Sequence, residues 1–429
     1  MKSAFVCLLG FGNFLAFANA STEPASLRSA SPSIHHGSLK TEQATIKREV
    51  KGEDDSFLAP INKKIPGQFS GRFQFLGIYR DYESVGYGHS STLGAMLNYR
   101  SDRWEGFDFG AAYNYAGVVL DGGRSAITAN GDIHVLNEIW LRYHFDVLGG
   151  EKTSLLGGRN IFNGEVFRKD DFRQKARAIE SIQLQSEDID GFRITLGHAV
   201  KMSNWIDTSD RWDFNDFGDV FGVGYDTDGV TWGEVLYTGM AKWEMSFFNA
   251  YAWDISNLMG ARIQYDYCDE ASLIFYYRHE QNVGRADTRR SDAYGVSYRQ
   301  KIGGVTLEPG YFGVHGSGLL FQEGTTGINH PLGSSMMICT SQFAGGSDTA
   351  YIKATTKVGK TFLYALYNYT WHDSRDQKFD GQELNVIVKH PIVEHLTAGM
   401  KAGIGYRDEK SGNENVTFSD VRLFLTYTF

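Results

Sequence analysis

The chain contains few cysteines, few prolines, no surplus of basic charge and only one long apolar run. Its 429 residues include 3 Cys and 7 Pro, and 42 Lys and Arg stand against 51 Asp and Glu, which gives a formal net charge of -9. A chain of this size with so little cysteine is not a disulfide scaffold. The acidic balance argues against a nucleic-acid partner, because backbone phosphates require clustered Lys and Arg. After residue 20, no apolar run approaches the roughly 20 residues that a membrane-spanning helix needs.

The one long apolar run lies at the amino terminus. Lys2 precedes an apolar stretch over residues 4–18, and Ala18-Asn19-Ala20 forms an A-x-A cleavage pattern. This arrangement is typical of a secretory signal peptide, which we predict for residues 1–20.

Residues 21–66 differ in composition from the rest of the chain. They are rich in Ser, Thr, Pro, Lys and Glu, and they include the densely charged run 47–55. Such a segment cannot bury enough apolar surface to offset the loss of chain entropy on folding. We predict a disordered periplasmic extension here. The pair His35-His36 within it is expected to be solvated rather than to bind a metal.

From Phe69 to Phe429 the sequence alternates apolar and polar residues in segments of about ten, the pattern of transmembrane β-strands. The last segment shows it well, with Val421 and Leu423 on an oily face and Arg422 on the other. We predict a transmembrane antiparallel β-barrel over residues 67–429 with about eighteen strands, sixteen remaining possible, because closure removes both edges of the sheet. The predicted strands cover 69–80, 91–101, 106–118, 133–146, 152–160, 177–187, 190–201, 229–239, 242–254, 258–268, 270–281, 291–301, 304–315, 347–358, 361–372, 382–391, 394–407 and 418–429.

The connections between these segments alternate in length, as expected of a barrel with short turns at one rim and long loops at the other. A soluble β-sandwich gives no reason for such sorting. The long connections are predicted to be extracellular, with one short exception at residues 254–258, and lie near 81–91, 118–133, 160–177, 201–229, 281–291, 315–347, 372–382 and 407–418. Tryptophans near strand ends are expected at the level of the lipid headgroups, and these are Trp104, Trp140, Trp243, Trp253 and Trp371.

Strand parity also predicts which side chains point inward. In 133–146 the odd positions, including Val135 and Ile139, should face lipid, which turns Glu138 inward. Arginines should share the inward parity, because a lipid-facing Arg costs ~2–4 kcal/mol at the bilayer midplane. The predicted inward basic track is Arg72, Arg80, Arg100, Arg142, Arg193, Arg262, Arg278, Arg299 and Arg422. Two interpretations stay open: a track for carboxylates or other anions, or arginines that pair with Glu138, Asp266, Glu280 and their neighbours.

Several stretches of the chain are similar to a known family. They include Tyr79-Arg80-Asp81-Tyr82, Leu97-Asn98-Tyr99-Arg100-Ser101, Leu156-Gly157-Gly158-Arg159 and the run 186–197. The first half of the barrel thereby resembles the OprD-like substrate-specific outer-membrane porins, and the second half is similar by architecture. The resemblance implies a monomeric eighteen-stranded barrel, a constriction from the third and seventh loops, a basic ladder, and passive uptake of small carboxylate-bearing solutes such as amino acids, peptides or organic acids. The long polar extension and the charge-dense third loop depart from that family.

The third long connection, residues 161–176, carries charges of both signs. In porins this loop usually folds inward and narrows the channel, and opposed charges there would orient a zwitterion or dipole. The alternative is a solvated extracellular loop. The residues of the predicted constriction are Glu165, Arg168, Lys169, Asp170, Asp171, Arg173 and Lys175. The Gly-rich connection 315–347, with His315, His330 and Cys339, is the second candidate to fold inward.

Other functions remain as alternatives. Porins of the alginate-export type resemble this chain in strand number and in a Gly-Arg element like Gly158-Arg159. A barrel enzyme would require a nucleophile and a base at one site, which strand positions do not bring together, so we predict no enzymatic activity and no cofactor. A non-conducting structural barrel or adhesin is the third class. The expected partners are outer-membrane lipid, lipopolysaccharide and a small solute, with a monomer expected and an oligomer left open.

Overall fold

The computed structural model of the protein describes residues 58–83, 86–128, 130–169, 173–203, 214–323, 343–375, 377–410 and 414–429. The predicted signal peptide and residues 21–57 of the predicted extension lie outside the described residues, as do Asp170, Asp171, His330 and Cys339. The described end of the extension contains a short helix, Ala59–Asn62. Asn62 receives a hydrogen bond from the Phe69 amide at 2.7 Å, which ties this helix to the first strand.

Eighteen long antiparallel strands form one closed sheet, as the alternation predicted. In chain order they are β1 (Gln68–Tyr82), β2 (Gly86–Arg100), β3 (Phe107–Gly123), β4 (Ile133–His144), β5 (Thr153–Asn160), β6 (Ile179–Ser186), β7 (Phe192–Met202), β8 (Val230–Tyr237), β9 (Trp243–Ala252), β10 (Ser256–Cys268), β11 (Ala271–Asn282), β12 (Arg290–Ile302), β13 (Val305–Gly316), β14 (Ser347–Val358), β15 (Thr361–Asp373), β16 (Lys378–Val393), β17 (Leu396–Glu409) and β18 (Val416–Thr428). A two-residue strand, Asn215–Asp216, extends the sheet beside the end of β7.

The first and last strands close the barrel. Arg72 of β1 lies opposite Thr428 of β18, and the pairing continues to Tyr82 opposite Phe418. The terminal Phe429 joins this seam, since its amide donates to the Gly71 carbonyl at 3.0 Å and its carbonyl accepts from the Gly71 amide at 2.8 Å. Closure therefore leaves neither terminal strand with an unpaired edge.

Alternation along each strand separates an apolar exterior from a polar interior. On β18 the outward Leu423 and Leu425 are 52% and 42% exposed, whereas the inward Arg422 is 1% exposed. Apolar side chains are thus displayed outside and charged ones enclosed, the inverse of a soluble protein. No helix among the described residues is long and apolar enough to cross a membrane. The described helices are single turns, Ala59–Asn62, Phe217–Phe221 and Leu320–Glu323, together with two 3-10 turns, Ser125–Thr128 and Phe145–Leu148.

Several predicted long connections are shorter than the sequence indicated, and two of them become turns of three and four residues. The strand β2 begins at Gly86 instead of residue 91, so residues 83–85 replace the predicted 81–91 loop. The strand extends back to Gly86 because Gly86 pairs with Tyr82 of β1. Backbone pairing does not require apolar and polar side chains to alternate, so the alternation did not indicate this part of the strand. Similarly, β16 begins at Lys378, which shortens the predicted 372–382 connection to four residues.

The expected orientation of Val135 was wrong. A bulge at Asn137 lets Ala112 pair with Glu138 and Tyr113 with Leu136, so the parity of β4 changes between its two halves. Val135 is therefore fully buried inside the barrel, whereas Ile139 is 50% exposed outside, as expected.

The expected position of Trp140 was also wrong. Its side chain is only 5% exposed and points inward, while Trp104, Trp253 and Trp371 are 71%, 43% and 48% exposed near the rims. Trp140 lies on the same face of β4 as the inward Glu138 and Arg142. Its ring therefore packs against the guanidinium groups of Arg100 and Arg142 inside the barrel.

Candidate functional site inside the barrel

Three connections at the long-loop rim fold into the barrel over the part of each that the structure describes. They are loop 3 (residues 161–178), loop 4 (203–229) and loop 7 (317–346), counted along that rim. Phe162, Val166 and Phe167 of loop 3 are buried, as are Phe217 and Phe221 of loop 4 and Phe321 of loop 7. The inward folding predicted for loop 3 is thus confirmed, and loop 7 does the same over its described residues.

The three loops pack on one another and on the wall through an apolar cluster. The ring of Phe167 lies 5.0 Å from that of Trp232 on β8, and Phe221 lies 5.0 Å from Phe321. Burial of this surface holds the loops inside the barrel. This cluster was not predicted from the sequence, although the recurring Phe and Trp of loop 4 indicate a segment that packs against other apolar groups.

The second half of loop 3 is fastened to the wall around β1, β2 and β4. Arg72 donates to the Gln174 carbonyl at 2.9 Å, and Gln74 donates to the Arg173 carbonyl at 3.1 Å. Asn137, the bulge residue of β4, donates to the Ala176 carbonyl at 3.1 Å. These bonds satisfy loop carbonyls that burial would otherwise leave without partners.

The first half of loop 3 reaches a different part of the wall, on β8, β10 and β11. Arg262 Nε lies 3.3 Å from Glu165 Oε1, and Arg278 Nη2 lies 3.3 Å from Glu165 Oε2. All three side chains are 4% exposed or less. Arg262 also contacts Glu244 on β9. Loop 3 therefore connects two separate regions of the interior wall.

Close approach of the loop backbone depends on Gly164. The amide of Val166 donates to Glu234 Oε1 on β8 at 2.9 Å. A Cβ at Gly164 would lie 2.3 Å from Glu234 Oε2, so any larger residue would collide with that carboxyl group.

The predicted constriction residues do not all share one environment. Glu165, Arg173 and Lys175 are buried, Arg168 and Lys169 are half-buried, and Asp170 and Asp171 lie outside the described residues. Arg173 donates to the Thr128 carbonyl at 2.8 Å, on the opposite side of the loop from Glu165. Their role at a constriction stays a prediction.

Most arginines of the predicted track contact carboxylates. Arg80 and Arg422 flank Asp420, at 2.6 Å and 2.9 Å. The other contacts, apart from those of Glu165, are Arg100 with Glu138 at 2.9 Å, Arg193 with Glu187 at 2.5 Å and Arg299 with Glu308 at 2.9 Å. Seven of the nine arginines are thus beside a carboxylate, which is the second interpretation offered by the sequence.

The three carboxylates named as expected partners have different contacts. Glu138 contacts Arg100 as anticipated, whereas Asp266 accepts from Gln264 and Ser272 at 2.8 Å and 2.7 Å. Glu280 accepts from Ser256 at 2.9 Å.

A basic and aromatic group lies near the short-turn rim. The guanidinium carbons of Arg100 and Arg142 are 4.7 Å and 4.8 Å from the ring centroid of Trp140. Such stacking orients guanidinium groups and leaves their edges available for hydrogen bonds. Among the residues that the structure describes, no group of three or more His, Cys, Asp or Glu could hold a metal ion.

No protein-family model matches the chain, and no curated protein matches it either. Solved structures do match. OpdP (OccD3) of Pseudomonas aeruginosa is 16% identical with a TM-score of 0.63, covering 85% of this chain and 92% of that chain. OccAB4 of Acinetobacter baumannii is 15% identical with a TM-score of 0.64, covering 84% and 98%. OpdK of Pseudomonas aeruginosa, solved with vanillate, is 13% identical with a TM-score of 0.68, covering 84% and 98%.

The chain has the fold of these porins. The similarity extends over nearly the whole of each solved chain, so it includes the complete barrel and its closure. The resemblance to OprD-like porins noted in the sequence is confirmed at the level of the fold.

Proposed function

We propose that the protein is an outer-membrane porin for the passive diffusion of small hydrophilic solutes. The observation that carries this proposal is a closed barrel with an apolar exterior and a charged interior narrowed by inward loops. The exterior requires hydrocarbon around it, and the polar interior suits water and solutes. The short turns would then face the periplasm and the long loops the outside. Lipid and lipopolysaccharide would surround the wall.

The solute proposed is one that bears a carboxylate. Arginines recur along the interior wall, and guanidinium forks match carboxylate geometry. OpdK, which shares the fold, was solved with vanillate, a carboxylate. Because most of these arginines already contact carboxylates, the selectivity expected is partial rather than strong. The Arg100, Trp140 and Arg142 group is the proposed basic contact near the periplasmic rim.

The interior favours small solutes over polymers. Aromatic side chains of loops 3, 4 and 7 fill part of the barrel, which narrows the space that a polysaccharide chain would need. A porin for small molecules is therefore preferred to the alginate-export alternative.

Charge reversal at Arg142 tests the proposed selectivity. Arg142→Glu should lower the anion-to-cation permeability ratio, measured as a shift of the reversal potential across a salt gradient, because it replaces an inward positive charge by a negative one. Arg285→Glu is the control, since Arg285 is 56% exposed and bonds to Asp254 near the long-loop rim. An unchanged ratio in Arg142→Glu would count against a carboxylate-selective wall.

A further inference from the structure

We infer that the exterior of the barrel beside loop 6 (residues 283–289) binds the phosphorylated sugar headgroup of lipopolysaccharide. Loop 6 joins β11 to β12 at the long-loop rim. The inference goes beyond the proposed function and depends on it only for the position of the barrel in an outer membrane. The site lies on the outer face of the wall, away from the path of a solute.

Arg290 is an exposed cation on this outer face. It is the first residue of β12, and the alternation of that strand places Arg290 and Asp292 outward together. Its side chain is 74% exposed, and its Nε lies 4.0 Å from Asp292 Oδ2, too far for a hydrogen bond. Loop 6 adds Arg285 and Arg289 to the same rim, with Asp287 as its one acidic residue. Arginines in such a group match the charge and geometry of phosphates.

The backbone from which Arg290 projects is held in a defined conformation. The Asn282 amide donates to the Arg289 carbonyl at 2.9 Å, which closes loop 6 directly before β12. Arg285 Nε lies 3.3 Å from Asp254 Oδ2. Because Arg285 already contacts a carboxylate, Arg290 is the arginine offered to a phosphate.

Below Arg290, neighbouring strands carry an outward polar group of four ionisable side chains. The group consists of His279, Asp292, His315 and Asp348. Asp292 lies opposite both histidines in the strand pairing and is 2.8 Å from His279 Nδ1. The phenol of Tyr277 also donates to Asp292 at 2.8 Å. Ionisable groups are costly to place in hydrocarbon, so the layer that surrounds this group is polar.

Farther along the same strands the exterior becomes apolar. Phe275, Val296 and Ile352 point outward and are 45%, 38% and 44% exposed. From the rim downward the wall therefore presents a cation, then hydrogen-bonding groups, then hydrocarbon.

Lipopolysaccharide presents the complementary layers in the same order. Its phosphates are carried by a sugar headgroup, whose hydroxyls suit carboxylates and imidazoles, and its acyl chains lie beneath. A glycerophospholipid has no sugar layer between its phosphate and its acyl chains. The outward polar group is thus matched by lipopolysaccharide and would be left facing acyl chains by a glycerophospholipid.

Native mass spectrometry of the purified protein in detergent micelles tests this site, with diphosphoryl lipid A as the probe. Arg290→Glu should raise the apparent Kd for lipid A about tenfold, because a negative charge replaces the phosphate contact. Lys378→Glu is the matched control. Lys378 is also an exposed first residue of a strand at this rim, but it already bonds to Asp373 at 2.6 Å. Its reversal should change the Kd by less than about twofold.

Asp292→Ala separates recognition of the headgroup from simple attraction between charges. On a merely basic surface, removal of a carboxylate would tighten the binding of an anion. In the proposed site it removes an acceptor for the sugar, so the Kd should rise about threefold.

Four results would overturn the inference. Equal changes of Kd in Arg290→Glu and Lys378→Glu would indicate a general effect of charge at the rim. Phosphatidylglycerol bound as tightly as lipid A would indicate a surface for any anionic lipid. Displacement of lipid A by an equal concentration of inorganic phosphate would indicate a site for the free anion. Tighter binding by Asp292→Ala would show that the sugar is not recognised.

The proposed function is tested separately, by the KCl conductance of the unmodified protein, because the site lies outside the barrel. If Arg290→Glu fails to fold, Arg290→Gln removes the charge without reversing it, and a rise in Kd of about threefold is expected.

Discussion

At the scale of single residues, the interior is organised as small groups of opposite charges. Asp420 lies between Arg80 and Arg422, and all three side chains are 1% exposed or less. An ion buried to this degree is stable only when other groups replace its lost hydration. Similar groups recur around the wall, so the arginines cross-link strands as well as line the interior.

Removal of the Asp420 charge should destabilise the barrel strongly. Asp420→Asn leaves two buried guanidinium groups without their shared anion, which is expected to lower the free energy of unfolding by about 3–5 kcal/mol. Denaturant unfolding in detergent micelles or lipid vesicles measures the change.

Asp188→Asn is the control for this substitution. Asp188 lies in an exposed turn, where the Thr153 hydroxyl and the Lys152 amide donate to it and hold its pKa below the usual range. The contribution of this carboxylate is present at neutral pH and is lost as the pH falls through its lowered pKa. Because the turn is solvated and no buried charge loses its partner, Asp188→Asn should destabilise the barrel much less than Asp420→Asn. Equal effects of the two substitutions would contradict the structural role of Asp420.

Strand parity predicts which arginines point inward, but it cannot identify their partners. Asp420 is 340 residues from Arg80 in the sequence, and Glu165 is 97 residues from Arg262. Such contacts depend on barrel closure and on the path of loop 3, neither of which follows from local alternation. The sequence therefore left open whether the arginines form an anion track or pair with carboxylates, and in the structure most of them lie beside carboxylates.

At the scale of structural elements, both halves of loop 3 are bonded to the barrel wall. One half bonds to β1, β2 and β4, and the other approaches Glu234 on β8 at Gly164. The first half of the loop thus lies close to β8 at a glycine, where a Cβ would meet the Glu234 carboxylate.

Substitution of Gly164 should release the first half of loop 3. In Gly164→Ala the added methyl group would lie 2.3 Å from Glu234 Oε2, so either the Glu234 carboxylate or the loop must shift. Because the same carboxylate accepts from the Val166 amide, either shift weakens the contact that holds the loop beside β8. We expect a larger single-channel conductance in KCl with more variable open levels. Gly157→Ala is the matched control, because a Cβ there meets nothing within 4 Å. If Gly164→Ala conducts like Gly157→Ala, the packing at Gly164 does not determine the width of the channel.

The strands were predictable because alternation with period two extends over most of them. The exceptions have local causes: β2 begins with glycines that pair by backbone alone, and the bulge at Asn137 reverses the parity of β4. The helix Phe217–Phe221 was not predicted, because a five-residue helix forms through packing in the apolar cluster and not through its own propensity.

At the scale of the whole molecule, the continuous apolar exterior determines where the protein is stable. Leu423 is 52% exposed near the middle of β18 and faces outward. Leu423→Arg would place a charge in hydrocarbon at a cost of about 2–4 kcal/mol, so folding into lipid vesicles should be weakened. Thr417→Arg, an outward position near the long-loop rim, should have a smaller effect of about 0–1 kcal/mol. Similar losses at both positions would contradict a membrane-embedded band.

The most direct test of the central claim is single-channel recording of the purified protein in planar lipid bilayers. A porin inserts and produces discrete conductance steps in KCl that persist at low voltage, because the channel is a fixed feature of the folded barrel. A protein that folds and inserts into the same bilayers without any conductance steps would be a non-conducting barrel, and this result would contradict the account.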